Sequence, residues 1–125
     1  MERFLKEFYS SYSCKEYRDG ILLSTPIMYQ GADHTFSFYI TQNKTGSFTI
    51  SDNGETLDYM RENFNPEKYM DKIMSVCERF SITLENNAFI GKIASYESNQ
   101  AMRTFNIFIG AMNIIANIDI FEDWF

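Results

Sequence analysis

"SFTISDNGETLDYM", Ser47 to Met60, is the stretch on which the fold turns. Phe48 and Ile50 alternate with Thr49 and Ser51, the period-two pattern of a half-buried strand. Beyond Asp52-Asn53-Gly54 the spacing changes. Leu57, Met60 and Phe64 recur every three to four residues, which predicts a helix. A strand therefore hands over to a helix within one acidic, glycine-bearing corner. A calcium loop would need several more oxygen ligands and a distal glutamate. Of that pattern only Asp52 matches. The corner reads instead as structure: Asp52 or Asn53 caps the helix, Gly54 takes the turn, and Glu55 and Asp58 favour the positive helix end.

Upstream, "TFSFYIT" alternates Phe36, Phe38 and Ile40 against Thr35, Ser37, Tyr39 and Thr41. "NKTG" then predicts a turn with Gly46 at a positive φ, so a hairpin leads into the corner. Before it, "GILLSTP" reads as a short apolar strand stopped by Pro26. The opening residues Phe4, Leu5, Phe8, Tyr9 and Tyr12 stand at helical spacing, which predicts an amphipathic first helix ending before Asp19-Gly20. Downstream, Asn65-Pro66 supplies an N-cap and a first-turn proline. Tyr69, Ile73, Val76, Cys77 and Phe80 then form a helical stripe. "SITLE" and "AFIGKIA" flank Asn86-Asn87, a two-residue hairpin turn that pairs Leu84 with Phe89.

From Met102 to Ile118 a narrow polar stripe (Arg103, Asn106, Gly110, Asn113, Asn117) interrupts an otherwise apolar helix. One sheet is not expected to cover so much apolar surface. The expectation is self-association through Phe108, Ile114, Ile118 and the tail residues Phe121, Trp124 and Phe125. The predicted order is helix, three strands, one or two helices, two strands, helix. Hairpins without a strand–helix–strand crossover make this α+β, with a mainly antiparallel sheet and helices on one face.

The chain has 125 residues, 45% hydrophobic and 17% aromatic, enough for one domain spanning 1–125 with a real core. A net charge of −6 disfavours nucleic acid or an anionic membrane as partner, since both demand neutralising cations. It is compatible with a protein partner that carries a basic surface. Cys14 and Cys77 stand far apart, outside any metal-binding spacing, so no metal or cofactor is expected. They point to a reducing compartment, and the charged start of the chain to a cytoplasmic protein.

Chemistry has few footholds. Asp33 and His34 adjoin at a strand start, and with Asp52 they compose a hydrolase or metal-dependent nuclease alternative, Lys92 serving as its lysine. No serine or cysteine is motif-placed as a nucleophile, and the acid-x-lysine spacing of such nucleases is missing. Tyr9, Tyr12 and Tyr39 read as core-edge residues, with a recognition surface as their other use.

"STPIMYQGADHTFSFYI" followed by "GSFTISDNGETLDYM" resembles DUF1828, an uncharacterised bacterial and phage family, over about residues 20 to 115. Thr25, Pro26, Asp33, Ser51, Asp52, Gly54, Thr56 and Leu57 carry the match. Ile50-Ser51 replaces Leu-Thr, and Asn53 replaces a second Asp. The resemblance implies a bacterial, prophage or mobile-element setting and transfers no catalytic residue. In element order alone the chain is similar to type III secretion chaperones, homodimers that bind unfolded segments; that is the alternative reading. The leading expectation is a non-enzymatic, acidic protein-binding module, a homodimer, which inhibits or regulates a host defence or nucleic-acid-handling protein. Asp52, Glu55, Asp58, Glu62, Glu67 and Asp71 would form the acidic docking face.

Overall fold

In a computed structural model, residues 13–17, 20–28, 35–44, 46–93 and 98–121 are described. Six strands make one antiparallel sheet in the order β1-β2-β3-β4-β6-β5. These are β1 (Ser13–Tyr17), β2 (Gly20–Met28), β3 (Thr35–Gln42), β4 (Phe48–Ser51), β5 (Thr83–Glu85) and β6 (Ala88–Ile93). Between β4 and β5 run α1 (Glu55–Asn63), a 3-10 turn (Pro66–Tyr69) and α2 (Met70–Arg79). After β6 come α3 (Ser98–Ala116) and the single turn α4 (Ile118–Phe121). The fold is α+β, as the periodicities predict.

Alternation is what gives the sheet its two faces. Phe38, Ile40, Phe48, Ile50, Phe89 and Ile93 are buried against the helices, while Ser37, Tyr39, Thr41, Thr49 and Lys92 remain half-buried or exposed. The helices return Leu57, Met60, Ile73, Val76 and Cys77 to the same core, joined by Phe105, Phe108, Met112 and Ile115 of α3. Each such side chain contributes roughly 1.5–3 kcal/mol through removal from water. Edge-on aromatic contacts pin α3 to the sheet: Phe38 meets Phe105 at 6.0 Å and Phe108 at 5.3 Å between ring centres. No helix among the described residues is long and apolar enough to cross a membrane.

Several predictions of the sequence need correction. Residues 13–17, expected to lie in the first helix, form β1, with Tyr17 paired to Gly20 and Ser13 to Ser24. β2 was available there as a cross-strand partner, and ladder bonds outweighed a weak local helical pattern. The amphipathic segment before Ser13 lies outside the described residues. Pro26 does not stop β2, which continues to Met28. The β2–β3 register shifts between Ser24 and Met28, beyond the last β1 pair. A proline without an N–H fits where the ladder is already irregular. The Asn65 side chain accepts from the Glu67 N–H at 3.3 Å, so the predicted cap is present, but it begins the 3-10 turn that feeds α2.

The terminal helix is also better covered than its composition implies. The sheet takes one side, and α1 and α2 take another. Phe108 is 4% exposed and Ile118 is fully enclosed within the same chain, so neither is free for a second copy. Ile114 is half-buried against the core, and Phe121 is half-buried. Trp124 and Phe125 lie outside the described residues. The polar stripe does face outward, and the apolar surface left uncovered is at Ile107 and Ile120.

Candidate functional site

The acidic corner comes first because its sequence admits two uses. Asp52 directly follows β4, and its side chain turns inward; the residue is 1% exposed. One carboxylate oxygen, Oδ1, accepts the Phe89 N–H at 2.8 Å and the Gly54 N–H at 3.0 Å. The other, Oδ2, accepts the Thr56 N–H at 3.2 Å, and the Thr56 hydroxyl also bonds the carboxylate. The Asp52 N–H in turn donates to the Phe89 carbonyl at 3.3 Å. One side chain thus joins the end of β4, the first turn of α1 and the start of β6, positions 37 residues apart in the chain.

Local residues make that geometry affordable. Asn53 and Gly54 have φ angles of 55° and 82°, which asparagine and glycine tolerate best. A Cβ on Gly54 would meet the Asn87 carbonyl oxygen at 3.4 Å, because the corner packs on the β5–β6 turn. That turn has φ of 51° at Asn86 and 67° at Asn87, the two positive angles of a type I′ turn. Thr56 is buried below, and Leu57 enters the core.

Burial pushes the Asp52 carboxyl above its ordinary 3.8, against the lowering pull of Thr56 and the N–H groups of Gly54 and Phe89. Its oxygens already hold four donors and reach no solvent. Asp52 therefore leaves the acidic docking face, and it is unsuited to the carboxylate role of the hydrolase alternative. Asp33 and His34 of that alternative lie outside the described residues. Lys92 is exposed on β6. Among the described residues, no three His, Cys, Asp or Glu side chains gather. Cys77 is buried in the core, and burial pushes its thiol up to about 11, so it stays protonated and unreactive at neutral pH.

The remaining carboxylates lie outside. Asp58 and Glu62 are exposed on α1, Glu67 on the 3-10 turn and Asp71 on α2, with Glu55 half-buried at the α1 start. Spacings of three and seven residues put Glu55, Asp58 and Glu62 on one helix face. Cations interrupt them. From Glu55 to Arg79 six carboxylates stand against four Lys and Arg, and Arg61 pairs with Glu67 at 3.4 Å. Asp119 of α4, which the sequence does not single out, adds a carboxylate on this side. It stands close enough to Tyr59 of α1 to raise the phenol, after burial, which is the larger cause. No linear pattern joins Asp119 to Tyr59, since only tertiary packing brings α4 onto α1.

The second feature is a cleft of about 410 Å³ at the end of the sheet where α2, β6 and α3 meet. Ile50, Ile93 and Phe108 line its buried side, Gly91 among them. Arg79, Phe80 and Ser81 come from the end of α2, and Thr104 and Ile107 from α3. A Cβ on Gly91 would lie 2.7 Å from the Phe108 ring, so glycine lets that ring rest on the strand. Ile107, 47% exposed, stands at the cleft. The hydrophobic pattern marked Ile107 as part of an apolar helix but carried no sign of a cleft.

Compared with known families, residues 25–114 match the model of a domain of unknown function, DUF1828. No curated protein and no solved structure matches the chain significantly.

Proposed function

This chain belongs to the DUF1828 family, and on that footing we propose that it is a non-enzymatic protein-binding module. Its acidic side docks onto a basic surface of another protein. The observation that carries this reading is the exposure of Asp58 and Glu62 on α1, Glu67 on the 3-10 turn and Asp71 on α2, with Asp119 exposed on α4. Exposed carboxylates steer a cationic partner and set its register more than they add affinity. Surfaces that handle nucleic acid are basic by necessity, so a host nucleic-acid-handling or defence protein fits this chemistry, and covering its surface would inhibit it.

The test is capture of basic partner proteins from a bacterial lysate, compared with a variant carrying Asp58→Lys, Glu62→Lys, Glu67→Lys and Asp71→Lys. All four side chains are exposed, so the fold is retained. The variant is expected to lose the captured partner, and capture by the native chain to weaken steeply with salt. Equal capture by both chains sinks the acidic-face reading.

Self-association is the second reading, favoured by two exposed apolar side chains, Ile107 of α3 at 47% and Ile120 of α4 at 54%. Light scattering is expected to give twice 14.7 kDa. A monomer at all concentrations removes this reading.

A further inference from the structure

We propose that the cleft between β6 and α3 receives an extended peptide segment of a partner protein, added as a strand along the outer edge of Gly91 to Ile93. The inference rests on the reading of this chain as a protein-binding module and gives it a second contact, at the C-terminal end of α2, where Arg79 and Lys92 rather than carboxylates line the cleft.

Strand pairing is the first ground. On one side β6 pairs with β4 along its length, through Ser51↔Ile90, Ile50↔Gly91, Thr49↔Lys92 and Phe48↔Ile93. On the other side β5 has three residues, and its last pair is Thr83↔Ile90. Among the described residues no strand covers β6 beyond that point. Phe89 bonds toward β4, and alternation turns Gly91 and Ile93 the same way, so beyond Ile90 it is the Lys92 N–H and C=O that face the other edge. Among the described residues no strand meets them there, and an added strand would.

The cause of the short β5 lies in how α2 ends. The Ile82 N–H donates to the Cys77 carbonyl at 2.8 Å, and Ser81 takes φ of 57°. This is a Schellman-type stop with serine where glycine is usual. It swings the chain away from β6 before Thr83, and the space left behind is the cleft. A side-chain-bearing residue held in the left-handed region is a strained choice that stability alone does not favour.

The lining specifies the occupant. Ile107, exposed, and Phe80, half-buried, are the apolar walls open to a partner, above a floor closed by Ile50, Ile93 and Phe108, and between them one large apolar side chain fits. Arg79 and Lys92 are exposed beside it, which favours a carboxylate elsewhere on the segment. A small apolar molecule would satisfy the floor and leave the strand edge unmet. A peptide meets both.

Selection of a random heptapeptide display library against the whole chain tests this. Enriched sequences are expected to alternate, with a large apolar residue and a neighbouring acidic one. The best of them, synthesised, should protect the Lys92 amide from hydrogen exchange, while the Ile93 amide, which faces β4, is protected with or without it. N-methylation of its ladder-facing amides should weaken it roughly tenfold or more, the loss of a backbone hydrogen bond or two. Thr104→Trp, which fills the cleft from an exposed position, should abolish binding, and Ile107→Glu should weaken it. Absence of any enriched peptide, protection elsewhere, or affinity indifferent to N-methylation or to Thr104→Trp would overturn the proposal. The selection is repeated on the four-lysine variant, where binding should persist. Peptide binding there, together with failed partner capture, separates the fate of the cleft from that of the acidic side.

Discussion

Two ends of the β4–β6 strand pair behave in opposite ways. At the Asp52 corner both carboxylate oxygens accept from N–H groups within the chain, and the carboxylate is sealed from water. At the cleft, three residues farther along β6, the ladder stops on one side and an apolar floor lies beneath an open edge. An acidic, glycine-bearing loop is the more conspicuous stretch of sequence, yet it is spent on holding the fold. The featureless "IGKI" is where, among the described residues, the ladder ends on one side beside a cleft. Conspicuous residue types mark demanding chemistry, and a buried corner can be as demanding as an active site.

The corner should break hardest. Asp52→Ala strands three buried N–H groups and is expected to cost about 3 kcal/mol or more in chemical denaturation. Loss below about 1 kcal/mol would show that water or a shifted turn replaces the carboxylate. Asp52 also predicts a pH signature. Its folded carboxyl titrates above 3.8, so the folded protein holds the proton more tightly than the unfolded chain. The resulting stability is complete below pH 3.8 and is lost as pH rises through the raised value. The margin of the native chain over Asp52→Asn, followed by denaturation across that window, should accordingly narrow with rising pH. A widening margin would mean that the N–H donors outweigh burial.

On the cleft side, Gly91→Ala pushes a methyl into the Phe108 ring and is expected to cost about 1–3 kcal/mol, again read by denaturation. Ser81→Gly should act in the other direction. Relief of the left-handed strain is partly offset by the freer unfolded chain, leaving a gain of up to about 1 kcal/mol in a thermal melt. If Ser81→Gly destabilises, the strain argument for the cleft fails. The smallest effect belongs to the Arg61–Glu67 pair, half-exposed at 3.4 Å. A double-mutant cycle should return no more than about 0.5 kcal/mol and less in high salt.

Much of this was legible in the linear chain. The period-two runs around Phe38 and Phe48, the Asn86-Asn87 turn, the Asn65 cap and the stripe of α2 all follow from local rules. The corner's sequence points to a structural role, which the buried Asp52 hydrogen bonds bear out, but it also points to Asp52 on an acidic surface, which they do not. Capping residues usually sit at the surface, and no local signal revealed that the Phe89 N–H, 37 residues away, claims this one. The surplus apolar area of α3 was misjudged for a similar reason. Counting side chains on one helix cannot show that the sheet and two other helices enclose Phe108 and Ile118.

By itself, then, the sequence determined which segments from Thr35 onward are strands and helices, where most turns fall, and which face of each is apolar, while β1, read locally as helix, needed its pairing with β2. Those follow from backbone sterics and residue periodicity, which act over a few neighbours. Tertiary structure alone decided that β6 lies between β4 and β5, that Asp52 is a buried bolt, and that a cleft opens beside Gly91. Such features depend on which distant backbone groups come within hydrogen-bond reach, and that is settled only when the two hairpins close on one another.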